Sequence, residues 1–196
     1  MSFDGAIKAL SLDALKNVKD GYVIGLGSGR AATALVKSLS KYIKTKKIAV
    51  KCVPTSMQIK LIAEKGGLEL IDADQIDKID LVFDGADQID KNKFLIKGGG
   101  GALTREKILA YSSDQFICIV DESKQVGLLG EFPLPIEVIE LSRSAVSREL
   151  MKMGGKPIYR NGFITDNGNQ IIDIHNLPIE VPYELEAKIN NIPGVV

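Results

Sequence analysis

The sequence predicts an α/β protein: a Rossmann-like catalytic domain with a mostly parallel sheet over residues 1–122, and a second, smaller α+β domain over residues 123–196. Three observations lead there. Short apolar, β-branched runs alternate with stretches of helical periodicity as far as Val120, the pattern of strands joined by crossover helices. The glycine- and aspartate-rich segments follow apolar runs, where open α/β sheets place their ligand-binding loops. Beyond Asp121 the alternation gives way to Pro133 and Pro135, one helical stretch and a hairpin signal.

Each element follows from local pattern. Residues from Phe3 to Leu15 have apolar positions near helical spacing and predict a helix. Gly21 then introduces the buried strand Tyr22-Val23-Ile24, which gives way to the loop Gly25-Leu26-Gly27-Ser28-Gly29. Ala31 to Tyr42 is rich in helix formers with an apolar face at Ala34, Leu35 and Leu39. A strand is predicted at Ile48–Val53, and a helix from Pro54-Thr55-Ser56 through Ala63 that ends at Gly66-Gly67. Leu68–Ile71, Ile79–Phe83 and Phe116–Val120 read as further buried strands, with a helix at Leu103–Ala110 between the last two. In the second domain a helix is predicted around Ala145–Met153, and a hairpin with its turn at Thr165-Asp166-Asn167-Gly168.

Composition narrows the function classes. With 196 residues, 45% hydrophobic and 26% charged, the chain can bury a sizeable core and carries no disorder signature. Its 25 basic and 25 acidic residues balance, which argues against nucleic-acid or membrane-surface binding and leaves room for a local basic site for a small anion. No apolar run approaches the roughly 20 residues of a membrane span and no secretory pattern opens the chain, so a cytoplasmic location is expected. Cys52 and Cys118 lie in apolar runs without partners at metal or redox spacing and read as core thiols. His175 is the only histidine, which disfavours a histidine-cluster metal site; acid-base work falls to carboxylates and lysines.

Three loops could do chemistry. In Gly25-Leu26-Gly27-Ser28-Gly29-Arg30, backbone amides at a helix start, the Ser28 hydroxyl and the Arg30 guanidinium could cradle a phosphate, although a plain turn has the same composition. The dinucleotide pattern Gly-x-Gly-x-x-Gly is not met, since Ala31 and Ala32 follow Arg30 and no acidic residue closes the second strand at Val53. In Asp84-Gly85-Ala86-Asp87, two carboxylates at a strand end could hold sugar hydroxyls or a metal, or form a solvated turn.

The third, Lys97-Gly98-Gly99-Gly100-Gly101 followed by Ala102-Leu103-Thr104-Arg105-Glu106-Lys107, is the most informative. Four glycines in a row carry a large entropy cost, so a folded protein keeps them where backbone passes close to a ligand or adopts positive φ; the alternative is a flexible linker. Glu106 falls in the first turns of the following helix. Spacing does not fix which way it faces, and a surface charge at the helix amino end, worth about 0.3–1 kcal/mol, is the competing reading.

Taken together, these segments resemble ribose-5-phosphate isomerase of the A type. The resemblance rests on Gly25–Gly29, Pro54-Thr55-Ser56, Asp84–Asp87, Leu95–Leu103 with Arg105-Glu106-Lys107, Ile119–Lys124 and Pro133–Val138, in that order over nearly the whole chain. It implies a metal-independent, cofactor-free interconversion of ribose 5-phosphate and ribulose 5-phosphate through an enediolate. Glu106 would be the general base, with Asp84, Asp87 and Lys97 holding hydroxyls and stabilising charge on oxygen. Gly98, Gly99 and Gly100 would add amide donors, with Gly85 and Ala86 beside the substrate; Lys124 and the loop Gly27, Ser28, Gly29, Arg30 and Ala31 would hold the phosphate. A sugar phosphate is then the expected partner, and a homodimer or homotetramer the expected assembly.

Two departures stand out. The family commonly carries Thr-Gly-Ser-Thr where this chain reads Ser28-Gly29-Arg30-Ala31, so two hydroxyl donors are absent and an arginine takes a place among them. Relatives also usually continue beyond Ile192-Pro193-Gly194-Val195-Val196 into a closing segment, so a short member or a truncated chain is expected. The alternatives are an amino-sugar-phosphate deaminase or coenzyme A transferase of related architecture, and a non-catalytic sugar-phosphate-sensing domain.

Overall fold

The computed structural model describes the chain from Phe3 to Val196. It falls into two compact units, Met1–Gly85 with Arg105–Asp121, and Ala86–Thr104 with Glu122–Val196, so the stretch holding Asp87 and the glycine tract clusters with the second.

The first unit is built on five strands, β1 (Val23–Leu26), β2 (Lys51–Pro54), β3 (Glu69–Leu70), β4 (Ile79–Asp84) and, in chain order, β7 (Ser113–Cys118). They form one sheet in the order β3-β2-β1-β4-β7 with every neighbouring pair parallel. Helices α1 (Phe3–Ala14), α2 (Gly29–Lys46), α3 (Met57–Gly66) and α4 (Leu103–Tyr111) alternate with them, the last beginning in the second unit. Because side chains alternate along a strand, each sheet face gathers its own core. Ile24, Leu26, Cys52, Leu81 and Phe83 pack with Leu35 and Leu39 of α2 and Ile59 and Ala63 of α3. Val53, Ile79 and Val82 pack with Leu109 of α4.

The helix limits have local causes. Ser56 caps α3 by accepting the Ile59 amide at 3.2 Å, and Gly67, at φ 72°, ends it in the left-handed region. α2 runs to Lys46, beyond the expected Tyr42, and β7 begins at Ser113 rather than Phe116. The second difference is physical: β7 is an edge strand paired only with β4, so Ser113, Asp114 and Gln115 can join the ladder without being buried.

The second unit holds an antiparallel sheet of β8 (Leu134–Val138), β9 (Lys156–Tyr159) and β10 (Gln170–His175) in the order β8-β10-β9. Pro135 and Pro157 lie in β8 and β9, the two edge strands, where a missing N–H costs no ladder bond. Helices α5 (Arg143–Lys152) and α6 (Pro182–Asn190) belong to this unit; Val146, Leu150 and Ile189 of these helices pack with Ile136, Val138, Ile172 and Ile174. The expected hairpin pairs β9 with β10, but residues 160–169 connect them; the Thr165–Gly168 turn, closed by Gly168 N–H to Thr165 O at 2.9 Å, is only part of that connection. A short ribbon of β5 (Gln88–Ile89) and β6 (Leu95–Ile96) completes the unit. Among the described residues no helix is long and apolar enough to cross a membrane.

Candidate active site

In the first unit the candidate residues gather at the carboxyl ends of β1 and β4. These strands are neighbours at the point where the sheet's order reverses, since the chain leaves β1 towards β2 and leaves β4 towards β7. Pairing of Leu26 with Phe83 brings Gly27 beside Asp84, and the Gly27 N–H donates to Phe83 O at 2.8 Å. A Cβ at Gly27 would sit 2.2 Å from Asp84 Oδ1, so only glycine admits the carboxylate there. Asp84 is 1% exposed, and its Oδ1 accepts the Ser28 amide at 3.2 Å and the Gly85 amide at 2.7 Å.

Glu106 reaches the same loop from α4. It lies one helical turn before Leu109, and both are buried, which settles the facing that sequence spacing left open. With 4% exposure it is not a surface charge, although its place in the first turn of α4 still favours an anion. The Ser28 hydroxyl donates to Glu106 Oε1. Ser28 is the N-cap residue of α2, yet its hydroxyl makes no cap bond. One residue therefore touches both carboxylates, Asp84 through its amide and Glu106 through its hydroxyl.

The rest of the expected phosphate loop starts α2: Gly29 at φ 84°, then Arg30, exposed, and Ala31, half-buried. Thr55, from the Pro54-Thr55-Ser56 segment, is buried and donates to Leu26 O at 2.9 Å, so it fixes the end of β1. Cys52 is buried in the sheet; burial, with the Glu69 charge adding to it, pushes its thiol up to about 12, which leaves no thiolate at neutral pH. Cys118 is half-buried in β7.

In the second unit Asp87 follows Ala86 and precedes β5. Its backbone N–H donates to Ile96 O at 2.8 Å, and its Oδ2 accepts the Gly99 amide at 2.8 Å. Lys97, half-buried, leaves β6 and opens the glycine tract. The tract is an ordered turn: the Gly101 N–H donates to Gly98 O at 2.9 Å, and Gly98 and Gly101 take φ of 109° and 80°. Gly99 and Gly100 are exposed. Lys124 is half-buried in a short 3-10 helix, Glu122–Lys124.

Sequence reasoning missed the groups that brace this tract. Arg160 Nη1 donates to Gly98 O at 3.3 Å and Gly99 O at 3.1 Å, while Arg160 Nε donates to Asp173 Oδ2 at 2.8 Å and Nη2 pairs with Asp173 Oδ1. Glu137 of β8, 1% exposed, accepts Thr104 Oγ1 at 2.6 Å, Thr165 Oγ1 at 2.7 Å, Asn169 Nδ2 at 2.9 Å and Asn167 Nδ2 at 3.1 Å. Burial alone would raise its carboxyl, but the hydrogen bonds from Thr104, Asn169, Thr165 and Asn167 outweigh it and hold the group below the ordinary carboxylate range. Arg160 sits in a segment with no motif; Glu137 lies within Pro133–Val138, which entered only as part of the resemblance and with no role given to it.

Among the described residues no three His, Cys, Asp or Glu side chains converge in the manner of a metal site. What the first unit offers is a buried carboxylate, Glu106, oriented by a neutral hydroxyl and able to take and return a proton. The second offers a lysine and exposed glycine amides on a braced turn.

Known proteins resemble this chain over most of its length. The family described as Ribose 5-phosphate isomerase A (phosphoriboisomerase A) matches residues 51–196. Ribose-5-phosphate isomerase A of Stenotrophomonas maltophilia (strain R551-3) is 48% identical over 184 residues, covering 93% of this chain and 84% of that protein. The structure of ribose 5-phosphate isomerase A from Methanocaldococcus jannaschii is 43% identical with a TM-score of 0.95, over 100% of this chain and 89% of the other. A D-ribose-5-phosphate isomerase in complex with phospho-erythronic acid is 41% identical with a TM-score of 0.97, over the same shares. With relatives this similar over most of both lengths, and with the loops of the resemblance at strand ends and helix starts, the chain belongs to the ribose 5-phosphate isomerase A family.

Proposed function

We propose that this chain interconverts D-ribose 5-phosphate and D-ribulose 5-phosphate, the aldose-ketose isomerisation of the non-oxidative pentose phosphate pathway, with Glu106 as the base. The observation that carries the reading is the buried Glu106 carboxylate, oriented by the Ser28 hydroxyl at the carboxyl end of the sheet. Membership of the family supports the substrate.

In this reading Glu106 takes the proton from C2 of the open-chain aldose and returns it to C1, while a hydroxyl proton passes from O2 to O1, so the two sugars differ by no atom. A C–H acid is weak, so the base must be oriented and partly freed from water, and charge growing on oxygen needs donors fixed in advance. Lys97 and the amides of Gly98 and Gly100 supply those donors, while the Gly99 amide, donated to Asp87, orients that carboxylate; Asp84 and Asp87 hold hydroxyls, with Gly85 and Ala86 alongside. Lys124 and the first turn of α2, with Gly27, Ser28, Gly29, Arg30 and Ala31, hold the phosphate, whose binding anchors the sugar away from the reacting carbons. Because the Ser28 hydroxyl is directed to Glu106, Ser28 serves the base as well as the phosphate loop. No cofactor or metal enters the scheme, and it belongs to a homodimer or homotetramer in the cytoplasm.

The test is a coupled assay for ribulose 5-phosphate formation, with arabinose 5-phosphate and an amino-sugar phosphate as rival substrates and phospho-erythronic acid as inhibitor. Turnover of ribose 5-phosphate, untouched by chelator and inhibited competitively by the acid, is the expected result. Ammonia release from the amino sugar with no pentose turnover would transfer the chain to the deaminase reading.

A further inference from the structure

The glycine tract poses a mechanical problem. Glycine peptides rotate at little cost, so amides meant to meet a growing negative charge need something else to fix their direction. No peptide bond among the described residues is cis, and in a trans peptide the carbonyl of one residue and the N–H of the next point in opposite directions. Whatever holds the carbonyls of Gly98 and Gly99 therefore sets the N–H directions of Gly99 and Gly100.

A single nitrogen does so: Arg160 Nη1 donates to both carbonyls, at 3.3 and 3.1 Å. The other face of the first peptide reads out the result, since the Gly99 N–H meets Asp87 Oδ2 at 2.8 Å. Arg160 is itself held. Nε and Nη2 are taken by the two oxygens of Asp173, in a pair whose side chains are 19% and 17% exposed, so little water competes for the guanidinium. Its Cζ lies 5.5 Å from the centroid of the Phe163 ring, and that ring fills the space beside Gly101, where a Cβ would sit 2.2 Å from Phe163 Cζ. Lysine could replace this fork only in part, because the job needs two donors on the carboxylate and a third on the carbonyls, all in fixed geometry.

We propose that Arg160, locked by Asp173, is a positioning residue for catalysis: by holding the Gly98 and Gly99 carbonyls it directs the Gly100 amide that stabilises charge on a reacting oxygen and the Gly99 amide that orients the Asp87 carboxylate. The proposal rests on the isomerase reading above and adds to it a residue pair outside the motifs. A purely structural ion pair stitching β9 to β10 would affect folding but would not separate turnover from binding.

The experiment compares Arg160→Met, Arg160→Lys and the double replacement Arg160→Met with Asp173→Leu, which leaves no buried carboxylate unpaired. For each, kcat and KM for ribose 5-phosphate are measured, with inhibition by phospho-erythronic acid, whose carboxylate carries charge on two oxygens, and by inorganic phosphate. Loss of one oxyanion donor typically costs a hundredfold or more; amides misdirected rather than removed predict a fall in kcat of about thirtyfold in Arg160→Met and the double variant. KM stays within about threefold, Arg160→Lys recovers part of the loss, and the acid binds more weakly while phosphate inhibition is unchanged. The proposal is overturned if a folded variant lacking the guanidinium keeps kcat within about threefold of the parent, or if phosphate and acid inhibition weaken by the same factor. Failure of the isomerase reading shows separately, as absence of pentose turnover in the unsubstituted chain.

Discussion

Glu106→Gln isolates the chemistry of the base from its setting. Glutamine keeps the size and one acceptor oxygen, so the Ser28 hydroxyl can still donate as it does to Glu106 Oε1. Two stability terms oppose each other. The favourable placing of an anion in the first turn of α4 is lost, worth about 0.3–1 kcal/mol, while the cost of burying a charge at a position 4% exposed is relieved. The net shift in Tm stays within about 4 °C for a chain of this length. Loss of a general base removes about two to four orders of magnitude in rate, or roughly 3–5 kcal/mol of barrier. The fall belongs in kcat, with KM for ribose 5-phosphate within about threefold, because glutamine still accepts the Ser28 hydroxyl and so leaves the proposed phosphate loop in place. The assay pairs ribulose 5-phosphate formation with washout of deuterium from C2 of labelled ribose 5-phosphate, which follows the proton the base moves. A folded Glu106→Gln protein retaining more than about a tenth of either rate would refute the assignment.

Asp84→Asn should leave the loop anchored, since Oδ1 accepts both the Ser28 and the Gly85 amides, whereas Asp84→Ala strands two half-buried amides and costs about 1–3 kcal/mol; thermal melts beside kcat separate architecture from charge. Glu137 is held below the ordinary carboxylate range in the folded chain, so the unfolded chain binds the extra proton first. Its contribution is complete above the ordinary carboxylate range of about 4.3 and is lost as pH falls through the lowered value; urea melts of Glu137→Gln should show less acid dependence in that window and a loss of about 1.5–3 kcal/mol at neutral pH. Arg30→Ala should raise KM for ribose 5-phosphate by up to about fivefold with kcat unchanged, the size of an exposed ionic contact, and an unaltered KM reduces Arg30 to a surface charge on α2.

The parallel sheet was legible because its central strands are buried on both faces and read as short apolar runs, Val23–Leu26 and Leu81–Phe83 above all. The loops were legible because glycine and aspartate collect where backbone must approach a ligand or another loop. The facing of Glu106 was not: Arg105 and Lys107 flank it with charge, and only the packing of Leu109 against Val82 and Ile79 decides which side of α4 turns inward. β8 was hidden by Pro133 and Pro135; the second lies inside the strand and is permitted because the strand is an edge, a property of the sheet order rather than of residues 134–138. Arg160 and Asp173 were hidden for a different reason. Arg160 bonds backbone carbonyls about sixty residues earlier in the chain, which leave no trace in residue identity, and Asp173 takes part only through Arg160.

The aspartates and the glycine loops form one device, used twice. Asp84 accepts an amide of the first glycine loop, and Gly27 lacks the Cβ that would collide with it; Asp87 accepts the Gly99 amide, and a Cβ on Gly99 would come within 2.6 Å of its Oδ1. The first pairing lies within the first unit and the second within the second, three residues apart along the chain. In each, the missing side chain on the loop is what lets a carboxylate approach the backbone and fix it. The entropy that glycine costs is thereby offset where it is spent, by a charge-assisted hydrogen bond of about 1.5–3 kcal/mol at each loop. A glycine tract alone would be a flexible linker; Asp87 on its amide side and Arg160 on its carbonyl side make it a turn with defined donor directions.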